Sequence, residues 1–149
     1  MNAGSLSRRR VSVVKHWPAV PEALLDRHLI LQVLINLIAN ALQAMDGLTD
    51  RPPRLTLKAQ AIDSLQGRRL VVQVEDNGEG ITKESLARLF THGFTTRKNG
   101  HGFGLHSCAL AAQAMGGEIR AESQGSGQGA LFTLELPLNE TEKRAVANL

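Results

Sequence analysis

Glu75-Asp76-Asn77-Gly78-Glu79-Gly80-Ile81 stands directly behind Leu70-Val71-Val72-Gln73-Val74. The apolar, β-branched run reads as a strand, and the glycine-rich stretch reads as a tight acidic turn leaving it. Upstream lies Asn36-Leu37-Ile38-Ala39-Asn40-Ala41. Downstream come Leu89-Phe90-Thr91-His92-Gly93-Phe94-Thr95-Thr96-Arg97 and then Gly100-His101-Gly102-Phe103-Gly104-Leu105. Each is weak alone, because short Asn, Asp and Gly clusters are usually turns. Their order carries the information: an amide-bearing helix, an acidic turn, an aromatic-threonine loop, and a glycine-rich loop that opens a helix.

The rest of the chain supplies a scaffold for those parts. Ile30, Val33, Leu34, Leu37, Ile38, Ala41 and Met45 recur at helical spacing behind Asp26, a residue type suited to starting a helix. Gly47, Asp50, Pro52 and Pro53 end that helix in a loop. Leu55, Leu57, Ala59 and Ala61 alternate as a half-buried strand does, and the strand over residues 70–74 follows a Gln66-Gly67 turn. Residues 11–15 suit a short strand, with Pro18 and Pro21 forcing an extended connection after it. Thr82 suits the cap of a short helix running through Phe90. Residues 104–115 suit a further helix stopped by Gly116 and Gly117. Residues 118–123 and 130–136 suit a hairpin across the Gly125-Ser126-Gly127-Gln128-Gly129 loop.

The pattern predicts a two-layer α/β sandwich, with helices packed on one face of a mixed, mostly antiparallel sheet. One domain is expected over residues 11–137. Residues 1–10 read as disordered or added for expression, and residues 138–149 as a polar tail.

Composition narrows the function classes. A chain of 149 residues holds one core, and its 42% hydrophobic content is that of an ordinary soluble globule. The single cysteine, Cys108, forbids an intrachain disulfide, fits a reducing compartment and reads as a buried small residue. The net charge of +3 arises largely from Arg8, Arg9 and Arg10 at the front and Lys143 and Arg144 at the back. No aromatic residues interleave with them, so solvated ends are expected rather than nucleic-acid binding. Gln32, Asn36, Asn40 and Gln43 interrupt the uncharged stretch over residues 29–45, and no membrane contact or signal peptide is expected. The expected location is cytoplasmic, as a soluble chain or as part of a membrane-bound sensor.

Each motif has a chemistry of its own. Asn36 and Asn40 are four apart and share a helix face with Gln32 and Gln43. A solvent stripe would be mostly charged, whereas this one is all amides, as suits a pocket wall. An amide oxygen is a neutral, hard ligand fit for Mg²⁺, which completes its shell with water and phosphates; capping of nearby backbone is the alternative. A carboxylate only accepts hydrogen bonds, so Asp76 can take the exocyclic amine of adenine and opposes the carbonyl of guanine. Gly78 and Gly80 allow backbone conformations with positive φ and close approach of the base; a plain surface turn is the alternative. The glycines at 100, 102 and 104 lead into a helix whose N-terminal amides favour phosphate, with Arg97 and Lys98 just ahead. The loop lacks the Gly-Lys-Ser/Thr of a Walker motif and does not follow a first strand as a dinucleotide turn does.

The four motifs in this order resemble the ATP-binding domain of sensor histidine kinases, within the wider GHKL family of ATPases and kinases. The resemblance covers residues 11–137. It implies binding of Mg-ATP, with Asn40 as the Mg²⁺ ligand and Asn36 as its catalytic companion. It implies further that Gln43, Asp76, Gly78, Gly80, Ile81, Thr95, Thr96, Arg97, Lys98, Gly100, His101, Gly102, Phe103, Gly104 and Leu105 surround the nucleotide. The hydrolytic members carry a glutamate base one helical turn before the metal asparagine. Asn36 stands there in this chain and cannot accept a proton near neutral pH. Transfer of the γ-phosphoryl group to a histidine is therefore expected. None of His16, His28, His92, His101 and His106 sits in a His-Glu or His-Asp helix. The implied acceptor is a histidine-containing dimerisation domain of the same parent, with a response regulator as indirect partner. An anti-sigma-factor-type serine/threonine kinase and an ATP-gated interaction module are the alternatives. The family commonly has a proline where His92-Gly93 stands here, and the lid is short.

Overall fold

The computed structural model describes residues 11–17, 26–91 and 104–138. Five strands form one sheet in the order β1-β2-β3-β5-β4: β1 Ser12–His16, β2 Arg54–Ser64, β3 Gly67–Asp76, β4 Glu118–Glu122 and β5 Ala130–Pro137. Only β1 runs parallel to its neighbour, and the other three pairings are antiparallel. Helices α1 Arg27–Ala44, α2 Lys83–Leu86 and α3 Gly104–Ala114 complete the described elements. The expected mixed, mostly antiparallel sandwich is what forms.

Register explains the core. The pairs Leu57↔Val74, Ala59↔Val72, Val74↔Phe132, Val72↔Leu134 and Leu70↔Leu136 put one apolar set on a single sheet face. From α1, Val33, Leu37, Ala41 and Leu42 pack on it, and from α3, Cys108, Ala111 and Ala112. Phe90 meets Phe132 edge-to-face, with centroids 6.3 Å apart, a geometry worth about 0.5–1.5 kcal/mol beyond area burial.

Helix ends follow local chemistry. The Asp26 carboxylate accepts the Leu29 amide at 3.1 Å, capping α1. Gly116 at φ 78 stops α3, and the Gly117 amide closes back on the Ala112 carbonyl at 2.9 Å. Thr82 caps α2 as its residue type suggests, accepting from the Ser85 amide at 3.2 Å. That helix is only four residues long and does not run through Phe90. Arg88, Leu89 and Thr91 instead donate to carbonyls three residues back, because Leu89 must turn inward to be buried.

Two smaller expectations need correction. The first hairpin turns at Leu65-Gln66, and Gly67 already belongs to β3. Its φ of 112 supplies the bend into that strand. Strand β1 sits one residue later than the apolar run suggested, because its pairing with residues 54–58 sets its bounds.

Candidate functional site

Asp76 is the informative residue of the sheet. Its register partners are Leu55 and Ala130, so its side chain belongs to the helix-facing apolar row, where it is only 4% exposed. Buried charge of this kind is costly and calls for an explanation in function or hydrogen bonding. Its Oδ1 accepts the Gly78 amide at 2.8 Å, which folds the acidic turn back over the strand end. A cavity of about 280 Å³ opens beside the carboxylate, near the lower end of the range for small-molecule sites. Asn40 and Ala44 from α1, Gly80 and Ile81 from the acidic turn, and Thr82 and Leu89 beyond it line this space. Ser126 and Ala130 close it from the hairpin side.

The turn is held from several directions. The Asn77 carboxamide accepts the Arg54 amide at 2.8 Å and donates to the Pro52 carbonyl at 2.9 Å, fastening the turn to the start of β2. Ser123 Oγ accepts the amides of Ile81 at 3.0 Å and Gly125 at 3.2 Å, and donates to the Gly129 carbonyl at 2.6 Å. That one hydroxyl joins the cavity wall at Ile81 to the hairpin loop.

The expected site residues divide. Asn40, Asp76, Gly80 and Ile81 come together around the cavity. Gly80 has a positive φ, at 75. Gly78 does not have it, and its lack of a side chain serves packing instead. An added Cβ would run into the Ala44 backbone carbonyl at the end of α1, which also accepts the Glu79 amide at 2.8 Å. A Cβ at Gly80 would likewise meet the Gly125 carbonyl.

The amide stripe divides too. Gln32 and Gln43 face outward, and among the four amides only Asn40 lines the cavity. Asn36 turns toward α3, where its Nδ2 donates to the Gly104 carbonyl at 3.5 Å and its amide pairs with the Cys108 thiol. Burial pushes that thiol up to about 11, against which the Asn36 hydrogen bond works. Leu105 packs on the core, and Gly104 opens α3. Thr95, Thr96, Arg97, Lys98, Gly100, His101, Gly102 and Phe103 lie outside the described residues, as do Phe94, the proline pair at 18 and 21, residues 1–10 and residues 139–149.

Sequence reading passed over Ser85, Ser126 and Ala130 on the cavity wall. For Ala130 a signal existed, since its register opposite Asp76 follows once the two strands pair. Ser126 had none beyond its glycine neighbours. Among the described residues no group of three His, Cys, Asp or Glu side chains is placed to hold a metal ion. Likewise, no helix there is long and apolar enough to cross a membrane.

The family model for histidine kinase-, DNA gyrase B- and HSP90-like ATPases matches residues 25–140. The chain belongs to this ATPase family. The sensor histidine kinase ZraS of Klebsiella oxytoca is 37% identical over 126 residues, covering 85% of this chain and 26% of that protein. Among solved structures, full-length ShkA in complex with AMPPNP aligns with a TM-score of 0.73 at 25% identity, over 91% of this chain and 27% of that one. The nucleotide-free catalytic domain of the histidine kinase ThkA aligns with a TM-score of 0.72 at 27% identity, over 91% of this chain and 84% of that one. The chain spans about a quarter of the length of the curated relatives it matches. This member of the ATPase family thus carries a fold shared with nucleotide-binding and catalytic domains of histidine kinases.

Proposed function

We propose that this chain is the catalytic, Mg-ATP-binding part of a two-component sensor histidine kinase. It would pass the γ-phosphoryl group to a histidine on a dimerisation domain of the same parent protein, with a response regulator downstream. One observation carries the reading: a single cavity brings together a buried carboxylate at a strand end and an amide from the facing helix. Asp76 accepts the exocyclic amine of adenine, and the apolar Ile81, Leu89 and Ala130 flank the base. Asn40, across the cavity, would hold Mg²⁺ through its amide oxygen.

The donor set fits that ion. One neutral oxygen, with no acidic cluster among the described residues, suits a metal that arrives on the nucleotide and keeps water and phosphate oxygens in its shell. When bound, Mg²⁺ neutralises charge on the transferring group. The protein's part is binding and orientation. In this reading Arg97 and Lys98 offset phosphate charge, and Thr95, Thr96, His101 and Phe103 surround the phosphates. In the same reading Gly100 and Gly102, and Gly104 at the start of α3, offer their backbone amides to them. Asn36 offers no base to activate water, which leaves the chemistry to an incoming imidazole.

The test is incubation with γ-labelled ATP and the parent's dimerisation domain, followed by acid treatment. Acid-labile label on the added domain is the expected outcome. Acid-stable label would point to a serine or threonine acceptor, and no label at all would point to an interaction module.

A further inference from the structure

Arg51, in the loop between α1 and β2, has no part in the cavity lining, yet its guanidinium reaches both loops that form the cavity's rim. Its Nε donates to the Asn77 carbonyl at 2.7 Å. Its Nη2 donates to the carbonyls of Gly78 at 2.9 Å and Gly127 at 2.8 Å. Its Nη1 pairs with Asp50 at 2.7 Å. Asn77 and Gly78 directly follow Asp76, whereas Gly127 belongs to the hairpin loop beside Ser126. The same two loops are stitched again where the Gly127 amide donates to the Glu79 carbonyl at 2.6 Å.

We infer that Arg51 is a positioning residue for nucleotide binding, fixing the acidic turn against the hairpin loop so that Asp76 and the opposite wall stand at the spacing an adenine ring needs. The inference rests on the nucleotide reading above. The physical reason lies in the guanidinium. Three carbonyls from two loops need directional donors in a fixed fork, which arginine has. A lysine ammonium is a compact charge on a flexible stem and cannot reproduce the fork. Hydrogen bonds from a charged donor are stronger than neutral ones, so this fork outweighs the neutral amide contacts it stands beside. The Asp50 pair contributes less, because Asp50 is largely in water. Without the fork the two loops keep the Gly127 and Gly129 amide contacts and the Ser123 hydroxyl bridge, all of them neutral, and lose the charged tie that holds the acidic turn to Gly127.

The experiment is calorimetric titration of the full chain and its Arg51→Lys and Arg51→Ala variants with ADP, well below each variant's melting temperature. Hydrogen exchange over residues 77–80 and 123–129 is followed in the same proteins. Both variants should lose about tenfold or more in ADP affinity, equivalent to roughly 1.4 kcal/mol, with the binding stoichiometry kept. Exchange should quicken in those two segments and not in α1. If Arg51→Ala fails to fold, Arg51→Lys carries the test. A lowered melting temperature with unchanged affinity would reduce Arg51 to a stabilising residue and overturn the assignment. Full rescue by lysine would overturn it as well, because charge and not the fork would then suffice. A wild-type chain that does not bind ADP would instead sink the nucleotide reading, and this assignment with it.

Discussion

A carboxylate that is nine-tenths buried on the apolar face of a sheet has two explanations, a structural hydrogen bond or a ligand, and Asp76 has room for both. One oxygen holds the Gly78 amide, and the side chain also borders the cavity. Asp76→Asn should therefore narrow the preference for ADP over GDP, since an amide can donate to the guanine carbonyl that the carboxylate opposes. A lost hydrogen bond to a charged group costs about 1.5–3 kcal/mol, which thermal-shift titration with each nucleotide resolves easily. Equal stabilisation of the wild type by GDP would take Asp76 out of base recognition. Asn40→Ala should weaken ATP binding in Mg²⁺ and leave binding in EDTA almost unchanged; equal losses in both would make Asn40 a structural amide. Cys108 gives a pH prediction. Its thiol is fully buried, and burial raises its pKa from 9.0 to about 11. The folded state thus keeps a proton that the unfolded chain releases first. The stabilisation is complete below pH 9, falls as pH rises from 9 to 11 and is lost above that. Its size is about 2–3 kcal/mol at most. The Cys108→Ala variant should show a shallower fall in denaturation midpoint over that window, and parallel curves would refute the burial account.

Among the elements, the junction of α1 with the acidic turn decides where the site sits. The helix ends at Ala44, whose carbonyl takes the Glu79 amide, and Gly78 lies so close beneath it that no side chain fits. Gly78→Ala should lower stability by about 1–3 kcal/mol, because a backbone carbonyl cannot move aside as a side chain can. Gly104→Ala makes the control. Among the described residues its added methyl would meet nothing nearer than Asn36 at 3.9 Å, and alanine suits a helix better than glycine. Urea denaturation of both variants checks the contrast, and equal midpoints would show that the α1 junction tolerates crowding. Asn36 belongs to this scale as well. Its contacts with Gly104 and Cys108 couple α1 to α3, so it ties the amide helix to the helix that follows the glycine loop.

At the scale of the whole molecule, the apolar sheet face that α1 and α3 cover carries a buried carboxylate at the end of β3, and the candidate site is there. The position one turn before Asn40 is an amide, and no histidine of the chain sits in a His-Glu or His-Asp helix, so the isolated chain should hydrolyse ATP negligibly and should not label itself. A coupled assay for released phosphate and an autoradiograph without added acceptor check this. Robust turnover would move the chain to the hydrolytic branch of its family.

Sequence alone determined the periodic parts. The strand alternation at residues 55–61, the helical spacing at 30–45, the caps at Asp26 and Thr82 and the stop at Gly116 are local signals, set by side-chain geometry within a few residues. The order of the polar motifs, also local, pointed to the family. Tertiary structure decided what depends on distant partners. Register put Asp76 in the apolar row opposite Ala130. The approach of α1 made Gly78 a packing residue, and the facing α3 gave Asn36 a partner in the Gly104 carbonyl. Arg51 offered no sequence signal, because its acceptors are backbone carbonyls, and residue type does not mark those. Only chain closure across 26, 27 and 76 positions brings them to one guanidinium.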